Sequence, residues 1–378
     1  MPSPTPVYIV DAVRTPIGRR EGSLHEIHPV DLAAHVLRAI VERCKIAPAH
    51  IDDVVLGCVS QTGEQGGNIA RLAALQAGFP VEVPGYSLNR MCGSSQQAVH
   101  SAAQAVAAGD CDLVIAGGVE VMSRVPIGSD WSPKLAPADF PHELIHQGIS
   151  AELIAEHWGL RREELDDYAH ESHVRAAAAT RAGWFEREIA PFPLPHGQFR
   201  TDEGIRMEPN REKLGTLRPA FKPEGMITAG NSSQISDGAA AVLLASEAAV
   251  ERYGLRPRAR MLARVAVGSD PVMMLTGPIP ATRLALQRAN LQLDDIDLFE
   301  VNEAFASVVL AWQREIGVPL DRVNVNGGAI ALGHPLGASG ARLLATLLHE
   351  LERRGGRYGL QTMCIGHGMG TATIIERL

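Results

Sequence analysis

Short aliphatic segments alternate along this chain with longer alanine-rich segments, and this alternation limits the folds that the chain can adopt. The segments VYIVDAV (residues 7–13) and CDLVIAGGVE (residues 111–120) have the length and the apolar content of buried β-strands. The segments at residues 31–44 and 94–109 have the apolar period of helices. Strands that alternate with helices form sheets that are covered by helices on both faces. The sequence therefore predicts an α/β fold.

Part of this pattern occurs twice. Residues 35–57 and 282–302 each run from a helix through a short loop and an Ile-Asp pair into a strand. Residues 89–118 and 333–368 each run from a loop of small residues into a helix, a strand and a glycine turn. Such echoes also arise in α/β proteins without a repeat, but we interpret these as a duplicated α/β unit.

The region between the repeats, residues 119–235, has a different composition. It is richer in charge, proline and histidine, and it contains a helical pattern at residues 149–184. We interpret it as an inserted loop domain that lies over a site. The predicted organisation is an N-terminal domain of residues 1–118 plus 236–256, this insertion, and a C-terminal domain of residues 257–378.

The composition argues against several classes of protein. The net charge of −8 disfavours nucleic acid as a partner, and no apolar run approaches the roughly 20 residues of a membrane span. The five cysteines are odd in number and scattered, which is typical of a reduced protein and not of a disulfide framework or a zinc site. No signal peptide precedes the first predicted strand. We therefore expect a cytoplasmic protein that holds no metal.

One cysteine lies where a nucleophile would be expected. Cys92, in NRMCGSSQQA (residues 89–98), immediately precedes a predicted helix, and the N-terminus of a helix lowers the pKa of a thiol. The small residues after it allow the backbone to approach a bound group closely. Taken alone, a buried cysteine without a chemical role is the commoner interpretation.

Three further segments carry candidate groups. His334 lies in a glycine-rich loop of the second repeat, at the place that matches Cys92 in the first. Cys364 lies in a glycine-rich turn after a strand, and such a turn can direct several N–H groups into a cavity. Asn302 either caps the helix that follows it or holds a water molecule.

Six motifs together resemble one family, the thiolases. They occur in thiolase order over essentially the whole chain, at NRMCGSSQQA (89–98), GGVEVMS (117–123), TAGNSSQISDGAAA (228–241), NEAFA (302–306), NVNGGAIALGHPLGASGAR (324–342) and CIGHGMG (364–370). The resemblance implies the thiolase fold, in which two similar α/β domains pack together and a loop domain covers the substrate. It also implies reversible cleavage of 3-oxoacyl-CoA by coenzyme A, which yields acetyl-CoA and a shortened acyl-CoA.

The resemblance also implies a role for each candidate residue. Cys92 forms the acyl-enzyme, and His334 activates first its thiol and then that of the incoming coenzyme A. Cys364 protonates the carbon of the acetyl-CoA enolate. His334 and a water held by Asn302 form one oxyanion hole, and the N–H groups of Cys92 and Gly366 form the other. Coenzyme A is a co-substrate, and no metal or permanently bound cofactor is expected.

Six further positions match residues that bind coenzyme A in thiolases. Each also has an ordinary interpretation, as a surface charge or as a core side chain. They are Arg206 near the nucleotide, Ser233 and His146 near the pantetheine, and Phe221, Met274 and Phe305 around the tunnel.

Three features depart from the thiolase pattern. The segment between residues 124 and 146 is shorter than in biosynthetic acetoacetyl-CoA thiolases, so a homodimer is expected and a homotetramer is less secure. Gln147 and Leu275 stand where methionine and glycine are common beside the acyl pocket. His367 stands in a turn that is usually Gly-Gly-Gly, and its side chain projects either into the acyl pocket or outward.

Other functions remain as alternatives. The altered pocket residues favour a degradative thiolase over an acetyl-CoA acetyltransferase that is specific for acetoacetyl-CoA. A ketoacyl synthase shares the fold but places histidine where this chain has Cys364, and a papain-type hydrolase would need an orienting motif that is missing here. A non-catalytic acyl-CoA-binding protein would be expected to lack Cys92 or His334. CoA thioesters, rather than nucleic acids or membranes, are therefore the expected partners.

Overall fold

A computed structural model describes residues 5–132 and 135–378 of the chain. The described strands are β1 (Tyr8–Arg14), β2 (Gly18–Arg19), β3 (Asp53–Gly57), β4 (Gly85–Leu88), β5 (Leu113–Val121), β6 (Phe192–Leu194), β7 (Gly197–Phe199), β8 (Ser236–Ala245), β9 (Ala259–Gly268), β10 (Leu298–Val301), β11 (Tyr358–Ile365) and β12 (Met369–Arg377). The described α-helices are α1 (Pro29–Cys44), α2 (Ile69–Gln76), α3 (Ser94–Ala108), α4 (Gln147–His157), α5 (Arg162–Arg181), α6 (Arg211–Gly215), α7 (Glu247–Tyr253), α8 (Pro278–Ala289), α9 (Ala306–Ile316), α10 (Ala329–Leu332) and α11 (Ser339–Arg354).

Within the described ranges, no helix is long and apolar enough to cross a membrane. The same residues contain no group of three or more His, Cys, Asp or Glu side chains that could hold a metal ion.

One large mixed sheet joins the two repeats. In the described part of the chain it has ten strands, of which nine follow the order β10-β11-β12-β9-β1-β8-β5-β3-β4, and β2 pairs with β8. The set β1, β3, β5 and β8 has the same arrangement as the set β9, β10, β11 and β12. In each set the last strand is antiparallel to the first and the third, and the second is parallel to the third. The strand order therefore supports the predicted duplication.

Helices cover both faces of the sheet because side chains alternate along each strand. In β8, Val242 and Leu244 pack with α3 and α11, whereas Ala241 and Leu243 pack with α1 and α2. Helices α4, α5, α8 and α9 form a third core cluster against β9–β12. Two helices of the region predicted to be inserted thus pack on the second repeat. The exact boundaries of the three predicted domains stay a prediction.

The helices α3 and α11 meet close to their N-terminal ends. A Cβ atom at Gly340 would lie 2.4 Å from the backbone nitrogen of Gln96, so this approach requires glycine. One residue further along, the N–H of Ala341 donates to Ser95 Oγ at 3.0 Å. This contact holds the starts of both helices side by side, and with them the loops that carry Cys92 and His334.

Candidate active site

Four segments of the chain converge between the two repeats. Cys92 follows β4, Asn302 follows β10, Cys364 lies in β11, and His334 precedes α11. The N–H of Gly366 donates to the sulphur of Cys92, and the side chain of Asn302 contacts both Cys364 and His334. The structure therefore brings together all five residues that the sequence marked as catalytic candidates.

Local hydrogen bonds shape the turn that carries the nucleophile candidate. Met91 has a φ of 45°, in the left-handed region. Asn89 Oδ1 accepts a hydrogen bond from the N–H of Met91 at 2.7 Å, and Ser94 Oγ donates to the carbonyl of Met91 at 2.6 Å. Because short polar side chains stabilise such turns, this sequence places Cys92 at the start of α3.

The thiol of Cys92 is almost completely removed from water. Its residue is 6% exposed, within an apolar cluster that includes Val59, Leu336, Met363 and Ile365. Burial raises the pKa of the thiol to about 11, and the N–H groups of Gly366 and Cys92 lower it by less. The expectation of a lowered pKa is therefore wrong for the protein without substrate, because desolvation outweighs the donors at the helix start. Cys92 is a neutral thiol at pH 7.

His334 is held as a neutral base. Its Nδ1 lies 2.5 Å from Ser339 Oγ, and that hydroxyl donates to the carbonyl of Pro335 at 2.8 Å. Since Ser339 donates its hydroxyl hydrogen to Pro335, its oxygen accepts from Nδ1–H of His334. The Nε2 atom of His334 is therefore unprotonated and can act as a base. Burial, with a smaller contribution from the positive charge of Arg342, lowers the pKa of His334 to about 3. His334 is therefore uncharged at neutral pH.

Asn302 lies between the base and the second thiol. Its Nδ2 is 3.3 Å from His334 Nε2, and its buried Oδ1 has no hydrogen-bond partner in the described part of the chain. A buried oxygen of this kind is suited to bind a water or a substrate group.

Cys364 is also a neutral thiol. It is fully buried, and its sulphur accepts hydrogen bonds from the side chain of Asn302 and the backbone of Ala304. The pKa of Cys364 is raised to about 12, mainly by burial and to a smaller extent by the neighbouring sulphur of Cys92. A thiol with such a pKa can donate a proton to a carbanion.

Two buried glutamates that sequence reasoning did not identify hold the active-site loops. The first is Glu120, at the end of β5, which is fully buried. Its Oε2 accepts from the N–H groups of Val59 and Gly337, each at 2.9 Å, and its Oε1 accepts from Gln65 at 2.7 Å. Glu120 therefore joins the loop after β3 to the loop that carries His334. A glutamate inside an apolar strand was the signal that could have revealed it.

The second glutamate, Glu303, directly follows Asn302. Its carboxylate accepts hydrogen bonds from Tyr168 Oη at 2.8 Å, Ser172 Oγ at 2.7 Å, Asn324 Nδ2 at 3.0 Å and the N–H of Ile330 at 3.1 Å. Tyr168 and Ser172 belong to α5, and Ile330 belongs to α10. The carboxylate therefore joins the inserted helices to the segment that leads into the histidine loop.

Two cavities meet at the candidate residues Cys92, Gly366 and His334. The smaller has a volume of about 180 Å³ and is lined by residues that include Cys92, Gly366, His146 and Met274. The larger has a volume of about 580 Å³, and its lining includes His334, Ser233, Phe221, Phe305 and again His146. The ring of His146 stacks on that of Phe221 with centroids 5.2 Å apart. Five of the six positions predicted for coenzyme A therefore line these two cavities.

The sixth position, Arg206, lines a surface cavity of about 580 Å³. That cavity also contains Lys213, and it shares Ala229 with the larger of the two active-site cavities. Two positively charged side chains, with Glu208 as one opposing charge, therefore lie in a cavity that adjoins the larger one.

Models of two protein domains match this chain. Residues 7–248 match the N-terminal domain of thiolase, and residues 255–377 match the C-terminal domain of thiolase. The chain belongs to the thiolase family.

Individual thiolases resemble this one over their full length. The steroid 3-ketoacyl-CoA thiolase of Mycobacterium tuberculosis is 54% identical over 99% of this chain and 95% of its own. The 3-ketoacyl-CoA thiolase of Salmonella typhimurium is 47% identical over 98% of this chain and 99% of its own. The crystal structure of the Bacillus anthracis acetyl-CoA acetyltransferase gives a TM-score of 0.93, with 39% identity and 100% of both chains covered. The predictions of the thiolase family, the thiolase fold and an acyltransferase enzyme are confirmed.

The three unusual residues of this thiolase lie in different surroundings. Gln147, at the start of α4, lines both active-site cavities. Leu275 is 1% exposed and packs in the core cluster of the second repeat, and it lines neither of the two active-site cavities. The expectation that it shapes the acyl pocket therefore finds no support. His367 lines the smaller cavity together with Cys92.

Proposed function

We propose that this thiolase cleaves 3-oxoacyl-CoA with coenzyme A, reversibly, to acetyl-CoA and a shortened acyl-CoA. One observation carries the proposal: a thiol with two N–H donors and a neutral imidazole with an unprotonated Nε2 line two joined cavities, and a second buried thiol lies next to the first. The names of the M. tuberculosis and S. typhimurium relatives support the same activity.

The larger cavity is suited to coenzyme A. The His146–Phe221 stack and Ser233 would contact the pantetheine, and Phe305 would contact the narrow end near the thioester. Arg206 would lie near the phosphates of the nucleotide, since its cavity adjoins the larger one. Met274 lines the smaller cavity, where it would contact the acyl group.

In the first half-reaction, His334 Nε2 accepts the proton of Cys92 while the sulphur attacks the C3 carbonyl carbon. The C2–C3 bond then breaks, and its electron pair passes to C2, which forms the enolate of acetyl-CoA. Cys364 donates its proton to C2, so acetyl-CoA leaves as a neutral product. The proton on His334 returns to Cys364, and Asn302, which contacts both groups, lies on that path.

In the second half-reaction, the thiol of coenzyme A gives its proton to His334 and attacks the acyl-enzyme. The bond to Cys92 breaks, and the proton returns from His334 to the sulphur of Cys92. Two separate acid–base groups are required because one proton moves at sulphur and another at carbon.

Fixed donors stabilise the negative charge on oxygen in both halves. The N–H groups of Cys92 and Gly366 already point at the sulphur, so they are placed to receive the C3 oxygen. The enolate oxygen would be bound by protonated His334 and by a water held by Asn302. Removal of a single donor of this type typically lowers the rate by about 10²–10³-fold.

An acetyl-CoA acetyltransferase specific for acetoacetyl-CoA is the second candidate, favoured by the likeness to the B. anthracis structure. The smaller cavity argues for the first candidate. The volume of the smaller cavity, about 180 Å³, exceeds the roughly 150 Å³ of a cavity that holds benzene. An acetyl group needs far less space than this.

Assembly and location are part of the proposal. The strand β4 forms one end of the sheet, and Leu72, Leu75, Val81 and Tyr86 are exposed on or near it. An open strand edge with apolar neighbours is suited to contact a second copy of the chain, so we expect a homodimer. A homotetramer is a weaker expectation. The five free cysteines support a cytoplasmic location.

The test is a series of thiolysis rates with acetoacetyl-CoA and with 3-oxoacyl-CoAs of increasing length. We expect the longer substrates to have the higher kcat/KM. Turnover of acetoacetyl-CoA alone would favour the second candidate. An absence of thiolysis with every substrate would overturn the proposed activity.

A further inference from the structure

The hairpin between β11 and β12 holds a side chain in an unfavourable backbone conformation. The two strands are in register up to Ile365 and Met369, so the turn is Gly366-His367-Gly368. His367 has a φ of 63°, in the left-handed region that favours glycine. A side chain that persists at such a position next to an active site is a candidate for a specific role.

The ring of His367 has no polar partner in the described part of the chain. It lines the smaller cavity together with Cys92, and its ring centroid lies 6.4 Å from that of Trp131. Among the described residues it makes no hydrogen bond and no ion pair. The side-chain amide of Gln147, which lines the same cavity, also has no hydrogen bond to the described residues.

The remaining surface of this cavity is mainly apolar. It is formed largely by Val59, Ile127, Ile145, Met274 and Leu336. Its volume of about 180 Å³ corresponds to a group of about six carbon atoms, by comparison with cavities that hold benzene. His367 and Gln147 are both partly exposed, so an unsubstituted alkyl chain that filled this space would displace water from them without offering a hydrogen bond in return, which is unfavourable.

We propose that His367 and Gln147 recognise a neutral oxygen, a hydroxyl or an oxo group, on the part of the acyl chain that fills the smaller cavity, within about six carbons of the carbonyl that Cys92 attacks. This inference rests on the proposed function and names its substrate class: oxygenated 3-oxoacyl-CoAs. The exposed carboxylate of Asp130 lines the same cavity and disfavours an acyl group that ends in a carboxylate. His367 and Gln147 are thus specificity residues, since neither is needed for the chemistry at Cys92.

The test compares kcat/KM for thiolysis of 3-oxodecanoyl-CoA, 9-hydroxy-3-oxodecanoyl-CoA and 3-oxodecanedioyl-CoA. We expect the wild-type protein to prefer the hydroxylated substrate over the unsubstituted one by about 10–100-fold, because a site that hydrogen-bonds a substrate oxygen discriminates against the analogue that lacks it. Equal rates for these two substrates, or a preference for the dicarboxylic substrate, would overturn the inference. A protein that cleaves none of the three, nor acetoacetyl-CoA, would overturn the proposed function instead.

Variants then connect the preference to the side chain. His367→Gly, which relieves the left-handed backbone, should lower kcat/KM for the hydroxylated substrate by about 10–100-fold and reduce the preference to nearly one. His367→Asn tolerates the same φ and keeps a polar group, so it should retain part of the preference. His196→Gly is the matched control, since His196 is an exposed histidine in the β6–β7 turn outside both cavities. Equal losses for both substrates in His367→Gly, or a full preference in that variant, would contradict the assignment.

Discussion

The loops that carry Cys92 and His334 occupy matching places in the two repeats, but their surroundings differ. Cys92 lies among apolar side chains, and its polar contacts are backbone N–H groups. His334 is held by side chains, with Ser339 on Nδ1 and Asn302 on Nε2. Burial acts on both, and it raises the pKa of the thiol to about 11 and lowers that of the imidazole to about 3.

This difference shows that neither group carries a charge before the reaction begins. At pH 7 a thiol with a pKa of about 11 is ionised in roughly one molecule in 10⁴. The active site therefore does not store a thiolate next to an imidazolium. Instead, the proton must move when the substrate carbonyl is in place, where the oxyanion donors stabilise the charge that leaves the sulphur.

The largest effect is expected at the loop that carries Cys92. Cys92→Ala should abolish both thiolysis and acyl exchange between CoA molecules, with a loss of at least about 10⁴-fold, because no acyl-enzyme can form. Mass spectrometry of the intact protein after mixing with acyl-CoA should show the acyl adduct in the wild type and none in the variant. An adduct that persists on another cysteine of Cys92→Ala would show that the nucleophile is assigned to the wrong residue.

The second thiol should separate the two kinds of proton transfer. Acyl exchange between two CoA molecules never forms a carbanion, whereas cleavage of the C2–C3 bond does. Cys364→Ala should therefore lower the thiolysis rate by about 10²–10⁴-fold and acyl exchange much less. Both rates are measured on the same preparation with labelled coenzyme A. Equal losses would mean that Cys364 has a structural role.

A smaller effect is expected at Ser339, which fixes the tautomer of His334. Ser339→Ala removes the acceptor for Nδ1–H, and loss of one neutral hydrogen bond should lower kcat by about tenfold. Ser339→Thr keeps the hydroxyl and should recover most of the rate. If kcat were unchanged in Ser339→Ala while only KM rose, the serine would not act through His334.

The smallest effect concerns pH. His334 stays neutral above about pH 3, and Cys92 stays protonated up to about pH 11, so neither changes charge at intermediate pH. We expect kcat/KM to vary by less than about twofold from pH 6 to pH 9. Alkylation of Cys92 by iodoacetamide should rise with pH without a plateau below about pH 10. A plateau near neutral pH would indicate a thiolate–imidazolium pair and reverse the comparison.

The sequence predicted the fold well because the fold depends on local patterns. The strands and helices predicted at residues 7–13, 111–120, 31–44 and 94–109 agree with β1, β5, α1 and α3 within two residues at each end. The structure also brings the five candidate residues together, since Cys92 and His334 lie in loops at matching points of the two repeats, but their catalytic roles stay a prediction.

The ionisation state of Cys92 could not be predicted, because it depends on neighbours from distant parts of the chain. Val59, Leu336 and Ile365 surround the thiol in the folded protein only. For the same reason the partners of Glu120 and Glu303 were invisible in the sequence. A rule about helix N-termini describes an isolated helix in water, and packing overrides it here.

The two repeats meet in the sheet where β1 pairs with β9, and the length of this pairing affects local unfolding of the protein. The strands β1 and β9 share two register pairs, Tyr8 with Arg260 and Ile9 with Ala259, whereas β9 and β12 share nine. Amide hydrogen exchange reports cooperative units that open separately where few contacts join them. The pairing within the sheet therefore joins the two repeats weakly, and the core cluster that α3 and α11 share with β8 joins them more strongly. Since Cys92 and His334 lie next to the starts of those two helices, an opening of this cluster would separate the two loops from each other.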